Sequence, residues 1–268
     1  MKHWNEKAKV HSSRSSQFYN IEEFLNGKST LLPIEKNTLG NIKGKSVLHA
    51  QCHIGFDTIS LARLGAKVTG VDFSLDAIEQ AKKFADHLQI QADFLQSDIF
   101  KLSNTKLQKN SFDIIYASYG VLCWIGDLDK WTETLVSYLK TGGMFILIDD
   151  HPYVSTVEFE NNKYEIKYNY FKNPEPFEFI NEYSYAGEDF KLEEKKVYEW
   201  NHSIDEIIGS FLKAKLRITS FYEYDFGYWQ RFPFLIKSSE GYYYRDPTKK
   251  DIPEYNIPLM FSITGVKI

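Results

Sequence analysis

Short polar turns interrupt the first 150 residues, each directly after an apolar run of strand length, and they hold the residues best able to do chemistry. Gln51, Cys52, His53 and Gly55 follow the first run. Asp72, Phe73 and Ser74 close the second, Asp98 and Ile99 stand in QSDIF after the third, and Ser118 and Tyr119 end the fourth. A carboxylate at Asp72 is placed to accept hydrogen bonds from both hydroxyls of a ribose. Asp98 can serve an adenine amino group while Ile99 covers the ring face. Tyr119, His151 after the fifth run, and His202 are candidates to take a proton from a nucleophile. Each has a plainer alternative: Asp72 as a loop carboxylate, His151 as a loop residue ahead of Pro152, and His202 as a residue shaping the start of a helix. His49, inside the first run, reads as a satisfied polar group.

The elements that must position these residues alternate regularly. Strands are expected at Ser46 to Ala50, Lys67 to Asp72, Ala92 to Gln96, Phe112 to Ser118 and Met144 to Asp149. Helices over Asp57 to Leu64 and Asp76 to Leu88, with Ser74 as N-cap of the second, cross between strands, and a third opens at Asp127 or Asp129 and runs to Leu139. Gly142 and Gly143 break it. This is the βαβ pattern of a parallel sheet, whose ligands lie at the carboxyl ends of the strands. Residues 1–40 are polar, with a short helix expected around Tyr19 to Leu25, and form an N-terminal arm or lid in which Tyr19 can close over a bound ligand. Residues 41–150 are the binding core. After Pro152 the alternation of aromatic, apolar and charged residues predicts antiparallel strands, hence a β-rich cap over 151–202. The core pattern resumes over 203–268, with a capping-box spacing at Ser203 and Glu206, a sixth strand at Leu216 to Tyr224 and a last one at Ile257 to Val266.

The order of these motifs resembles the class I S-adenosylmethionine-dependent methyltransferases over about Val47 to Leu147. VLHAQCHIGFDTISLA occupies the place of the family's first motif, VTGVDFS is similar to its second, QSDIF to its adenine-contacting turn, FDIIYASYGVLCWI to its fourth-strand motif and LKTGGMFIL to its LKPGG motif. The resemblance implies a Rossmann-like, doubly wound α/β sheet of seven strands in the order 3-2-1-4-5-7-6, the seventh antiparallel. It also implies S-adenosylmethionine as cofactor and S-adenosylhomocysteine as product, with Gln51, Cys52, His53, Gly55, Asp72, Phe73, Ser74, Asp98, Ile99, Ser118, Tyr119 and Tyr19 around them. One departure stands out. Gln51 and His53 replace the first two glycines of the family's loop, as in HxQCHxGxD-like loops of a bacterial subgroup, and only Gly55 remains. Glycine is favoured there for close approach or positive φ, so the loop must differ in detail.

Composition narrows the alternatives. With 25% charged and 43% apolar residues over 268 positions, the chain can bury a core of its own. A net charge of −4 without a basic run disfavours nucleic acid as a partner. No stretch reaches the length of a membrane span, and two cysteines are too few for a disulfide framework, so a cytoplasmic monomer or homodimer without a metal is expected. Aromatic residues reach 16% and crowd the C-terminal half. Tyr198, Trp200, Tyr222, Tyr224, Tyr228, Trp229 and Tyr242 to Tyr244 are candidates to line an acceptor pocket, built from His151 to Trp200 and Gly227 to Asp251. The expected function is methyl transfer to an oxygen, nitrogen or other nucleophile of a small molecule, by in-line displacement with Tyr119 or His151 nearby. A cofactor-binding module without turnover is the alternative. A nicotinamide-dependent oxidoreductase is less favoured, because no G-x-G-x-x-G fits the first loop.

Overall fold

The central runs are apolar on both faces. Val47, Leu48 and Ala50, then Ile114 to Ala117, then Phe145 to Ile148 are all buried, so each needs cover above and below, the condition of a parallel sheet between helical layers. The computed structural model describes residues 2–13, 19–184, 187–250, 252–253 and 256–268. Asp251, the end of the expected acceptor segment, lies outside them, as do 14–18 of the arm and 185–186 of the cap. Seven strands form one sheet: β1 Ser46–Ala50, β2 Lys67–Asp72, β3 Asp93–Gln96, β4 Phe112–Ser118, β5 Leu139–Asp150, β6 Leu216–Tyr224 and β7 Met260–Lys267. Their spatial order is β3-β2-β1-β4-β5-β7-β6. The first five are mutually parallel, and β7 runs antiparallel between β5 and β6, with Phe261 opposite Asp149 and Met260 opposite Asp150. The strand order is the one the motifs imply.

Seven helices accompany the sheet among the described residues: α1 Lys2–His11, α2 Ile21–Leu25, α3 Pro33–Leu39, α4 Phe56–Arg63, α5 Leu75–Leu88, α6 Leu128–Tyr138 and α7 Ile204–Lys213. Trp131 and Leu135 of α6 and Ile207 and Phe211 of α7 meet Leu48, Ile115, Phe145 and Leu147 on one face. On the other, Leu39 and Leu61 meet Val47, Ile114, Tyr116, Ile146 and Ile148, and an aromatic group from 224–244 joins them. The caps follow the sequence: the Ser74 hydroxyl accepts from the Ala77 N–H at 3.2 Å and Asp127 from Lys130 at 3.0 Å. At α7 the Glu206 carboxylate accepts from the Ser203 N–H, while the Ser203 hydroxyl turns to Asp205.

Four elements differ from expectation. β5 starts at Leu139 and not Met144. Leu139 pairs with Phe112 and Met144 with Ile114, so four residues, including Gly142 at φ +77°, bulge from a strand the glycines were expected to precede. β7 starts at Met260 and not Ile257, because Ile257 and Leu259 turn into a satellite core. That core also contains Val154 and Val157 of the cap and Phe232, Phe234 and Leu235 of the later loop, so the two segments pack as one unit. The cap itself comprises short antiparallel pairs, 157–160 with 163–166, 177–180 with 196–199, and 183–184 with 187–191. Residues 1–40 are expected to form a helical arm, but with a helix only around Tyr19 to Leu25, so α1 and α3 have no expected counterpart. The buried face of α1 is His3, Lys7, Ala8 and His11, which leaves no apolar stripe to read. No helix among the described residues is long and apolar enough to cross a membrane.

Gly55 shows how tightly the first turn is built. Its φ is +79°, and a Cβ there would sit 2.7 Å from the Ala81 Cβ and 2.7 Å from the Phe94 ring. Gly55→Ala is therefore expected to cost about 3 kcal/mol of stability, combining left-handed strain with overpacking. Urea unfolding of the variant measures it; a loss under about 1 kcal/mol would mean that α5 and β3 yield readily.

Candidate functional site

The loop between β1 and α4 takes a left-handed path without the glycines that usually permit it. Gln51 has φ +56° and His53 has φ +50°, both values that L side chains adopt reluctantly. Their side chains hold the path. The Gln51 amide donates to the Val121 carbonyl at 3.2 Å and accepts from the Trp131 indole at 2.9 Å, tying the loop to α6. Cys52 is buried, its N–H donates to the Val71 carbonyl at 2.9 Å, and its Sγ packs where a Cβ on Gly70 would collide at 2.8 Å. Burial pushes that thiol up. Cys52 thus packs the loop against β2. The close approach at Gly55 is likewise to Ala81 and Phe94.

The Asp72 carboxylate closes this loop from the tip of β2. It is 6% exposed, and one oxygen accepts from the His53 N–H at 2.9 Å while the other accepts from the Ser74 N–H at 2.9 Å. Burial raises its pKa to about 6 against the pull of these amides. Phe73 follows, its carbonyl accepting from Gln96. Ser74 spends its hydroxyl on the α5 cap and on Asn5 of α1, at 2.7 Å. Asp98 caps the short 3-10 turn Ile99–Asn104 through the Phe100 N–H at 3.0 Å, and Ile99 is buried in the core. The Ser97 N–H donates to the Asp72 carbonyl, so the β2 and β3 tips are adjacent.

Helix α1, part of the expected arm, lies over the loop through residues that sequence reasoning did not single out. Trp4 meets His53 edge-on at 5.6 Å and Trp124 at 5.0 Å, and Tyr19 stacks on His53 at 5.9 Å and 11°. His11 Nδ1 lies 3.1 Å from His53 Nε2, and His11 Nε2 lies 2.7 Å from the Ser184 hydroxyl of the cap. Burial lowers His53 to about 3 and drives His11 down as well, so both rings are neutral. Lys7 sits over the Trp4 and Trp124 rings at 4.7 and 5.6 Å, and burial lowers it to about 8 against the field of Glu199. His11, Lys7 and Trp4 lie at helical spacing, the one signal that could have revealed them.

Beyond the first loop, β4 and β5 end in a second group. The Ser118 hydroxyl donates to Asp57 at 3.4 Å. Tyr119 has φ +56° and stacks on Tyr228 at 4.2 Å and 27°. Its hydroxyl is buried beside Glu35 without a well-formed hydrogen bond. Glu35 is fully buried, accepts from the Leu32 N–H at 3.0 Å and from Tyr116 at 3.4 Å, and is raised to about 8 by burial and by Asp57. Asp149 accepts from four backbone amides, those of Gly120, Val121, Leu122 and Asp150, and so fixes the turn after β4. Asp150 faces the other way, towards Tyr228 and Trp229.

The remaining candidates separate. His151 does not join the group. Its Nδ1 accepts from the Tyr153 N–H at 3.0 Å and its Nε2 lies 2.8 Å from Glu223 Oε1 on β6, in an open hollow shared with Tyr170 and Ile257. Burial lowers its pKa, opposed by Glu223. His202 is buried with Nε2 2.6 Å from the Ile125 carbonyl, which joins the start of α7 to the turn after β4. His49 bonds the Thr58 hydroxyl at 2.8 Å inside the fold. The aromatic candidates divide as well: Tyr228 and Trp229 reach the β4 and β5 tips, Trp200 packs on Gly126, Tyr242 is core, and Tyr198 and Tyr222 are exposed.

Sheet order and the antiparallel β7 together define the class I methyltransferase fold. The methyltransferase-domain family matches residues 41–203, more than half of the chain, and the chain belongs to that family. A ubiquinone biosynthesis O-methyltransferase from Coxiella burnetii is 33% identical over 102 residues, 38% of this chain and 42% of the relative. One from Actinobacillus pleuropneumoniae is 35% identical over 74 residues, 27% of this chain and 32% of the relative. The chain thus spans well under half of the curated relatives it matches. Among solved structures, an S-adenosylmethionine-dependent methyltransferase from Mesorhizobium loti has a TM-score of 0.60 at 16% identity, covering 91% of this chain and 100% of that one. Geranyl diphosphate C-methyltransferase from Streptomyces coelicolor, solved with S-adenosylhomocysteine, has a TM-score of 0.54 at 14% identity, covering 87% and 76%. These two likenesses concern the fold.

The donor set suits a nucleoside cofactor. Each Asp72 oxygen accepts one backbone hydrogen bond and keeps a lone pair for a ribose hydroxyl, and His53 Nδ1 is a buried ring nitrogen with no partner at the same strand tips. Hydroxyl donors favour the charged carboxylate. Affinity for S-adenosylhomocysteine is therefore expected to be constant above about pH 7 and to fall about tenfold by about pH 5, as Asp72 protonates. Calorimetric titration across that range checks the sign; a flat profile would remove Asp72 from the contact.

Proposed function

We propose that the chain transfers the methyl group of S-adenosylmethionine to an oxygen of a small molecule, with the ribose held by Asp72, the adenine beside Asp98 and Ile99, and the acceptor between Tyr119 and the aromatic loop 226–231. The single observation that carries this reading is the buried Asp72 carboxylate at the tip of β2, held by the first loop and keeping acceptor capacity on both oxygens. The O-methyltransferase names of the curated relatives support oxygen as the acceptor atom.

When bound, the cofactor's sulfonium supplies an electrophilic methyl group, so the chain's own task is alignment and exclusion of water. Alignment of reactants is worth roughly 7–11 kcal/mol in favourable cases. The residues arranged for it are stiff. Tyr119 is fixed by its stack on Tyr228 and by the turn that Asp149 holds, and the Gln51 amide is fixed by Trp131. Helix α1 and Tyr19 pack on the His53 ring and cover one side of the first loop. That cover equally favours a second reading, a cofactor-binding module whose site stays closed to acceptors; release of S-adenosylhomocysteine from a metabolite pool separates the two.

Asp72→Asn is expected to weaken S-adenosylmethionine binding about 100-fold, because a carboxamide has one acceptor where two are used. Calorimetry reads the affinity, and thermal unfolding of the same sample reports whether the loop survives. Unchanged affinity in a folded variant would place the nucleoside elsewhere.

A further inference from the structure

Two adjacent aspartates end β5, and they are held in opposite ways. Successive strand residues face opposite sides, so Asp149 continues the face of Phe145 and Leu147 while Asp150 continues that of Ile146 and Ile148. Asp149 is 2% exposed and saturated by its four backbone amides. Asp150 remains partly exposed and takes one donor on each oxygen, the Tyr228 hydroxyl at 3.0 Å on Oδ2 and the Trp229 indole at 3.2 Å on Oδ1. Each oxygen keeps a lone pair. The Tyr228 ring is the one stacked on Tyr119, and its hydroxyl lies 3.5 Å from where a Gly120 Cβ would stand. Asp150 therefore lies beside the turn after β4, next to the proposed acceptor position.

We infer that Asp150 is the proton acceptor of the transfer, and that the acceptor molecule presents a ring hydroxyl to it. The inference rests on the methyltransferase reading. As the acceptor oxygen attacks, its lone pair forms the O–CH3 bond, the S–CH3 bond breaks with its electrons left on sulfur, and the hydroxyl proton passes to Asp150 and then to water. Tyr228 and Trp229 position the carboxylate. A flat hydroxylated ring suits a site walled by Tyr119, Tyr228 and Trp229, where stacked or edge-on rings add contact energy.

The groups around Asp150 tune it for this work. Burial and the Asp149 charge raise its pKa to about 7, while Trp229, Tyr228 and the Arg231 charge pull it down. Cys123, on the neighbouring turn, feels its charge, and the thiol stays protonated. A base with a pKa near the working pH transfers protons most effectively.

The probes are catechol and 4-hydroxybenzoate, with aniline and thiophenol as comparators lacking a ring hydroxyl, and the readout is release of S-adenosylhomocysteine. At least one hydroxyl compound is expected to turn over, with kcat/KM falling below about pH 7 as Asp150 protonates. Asp150→Asn is expected to lower kcat/KM about 100-fold with S-adenosylmethionine affinity kept within about twofold. Tyr228→Phe keeps the stack and removes one donor to the carboxylate, so the acid limb should move up by about half a pH unit. A folded Asp150→Asn variant with wild-type rate, loss of cofactor affinity in parallel with rate, turnover confined to the comparators, or no turnover with cofactor bound would each overturn the inference. Should Asp150→Asn not fold, Tyr228→Phe decides alone: an unmoved limb overturns it. Failure of the wild type to bind S-adenosylmethionine would sink the parent reading instead, and this one with it.

Discussion

The site hangs on one carboxylate. Asp72 accepts the amide of His53 and the amide of Ser74, and thereby fixes the end of β2, the start of α5 and the left-handed loop after β1 in a single arrangement. Left-handed backbone at a residue with a Cβ costs roughly 1–2 kcal/mol each, and this loop has it at both Gln51 and His53. The cost is offset by what those side chains reach. A glycine at 51 has no amide to join Trp131 to Val121, and a glycine at 53 has no ring for Trp4, Tyr19 and His11 to pack on. The chain has exchanged backbone freedom for side-chain anchorage.

That exchange explains the N-terminal arm. Helix α1 buries His3, Lys7 and His11 where a core helix would bury leucines, and it remains in place because each finds a partner on a different element. His3 bonds the Glu194 carbonyl, Glu6 accepts the amides of Glu193 and Glu194, Asn5 meets Ser74 and Lys9 meets Asp76. One helix thus straps the cap to the first loop and to α5. Buried polar groups are costly unless satisfied, so this strap is specific in register and dependent on all its partners together.

The sheet was legible because strand and helix carry their own periods: Ile114 to Ala117 can only be covered on both faces, and Asp76 to Leu88 repeats its apolar residues at helical spacing. The strand tips were legible for the same reason, since the order of elements fixes which residues end each strand. Helix α1 was hidden because its buried face is polar. Asp150 and Glu35 were hidden because nothing local distinguishes them; their surroundings come from Tyr228 and Trp229, and from Tyr116 and Asp57, each distant in sequence. His151 shows the reverse case. Its position after β5 is right for chemistry, but its ring turns to Glu223 on a strand the local sequence does not place beside it.

The proposed chemistry stands on Asp72 as the ribose ligand. A crystal structure of the chain with S-adenosylhomocysteine tests that most directly. Both ribose hydroxyls are expected within hydrogen-bonding reach of the Asp72 oxygens, with the adenine against Ile99 at the tip of β3. A nucleoside bound at any other strand tip, with Asp72 still holding only the amides of His53 and Ser74, would contradict it.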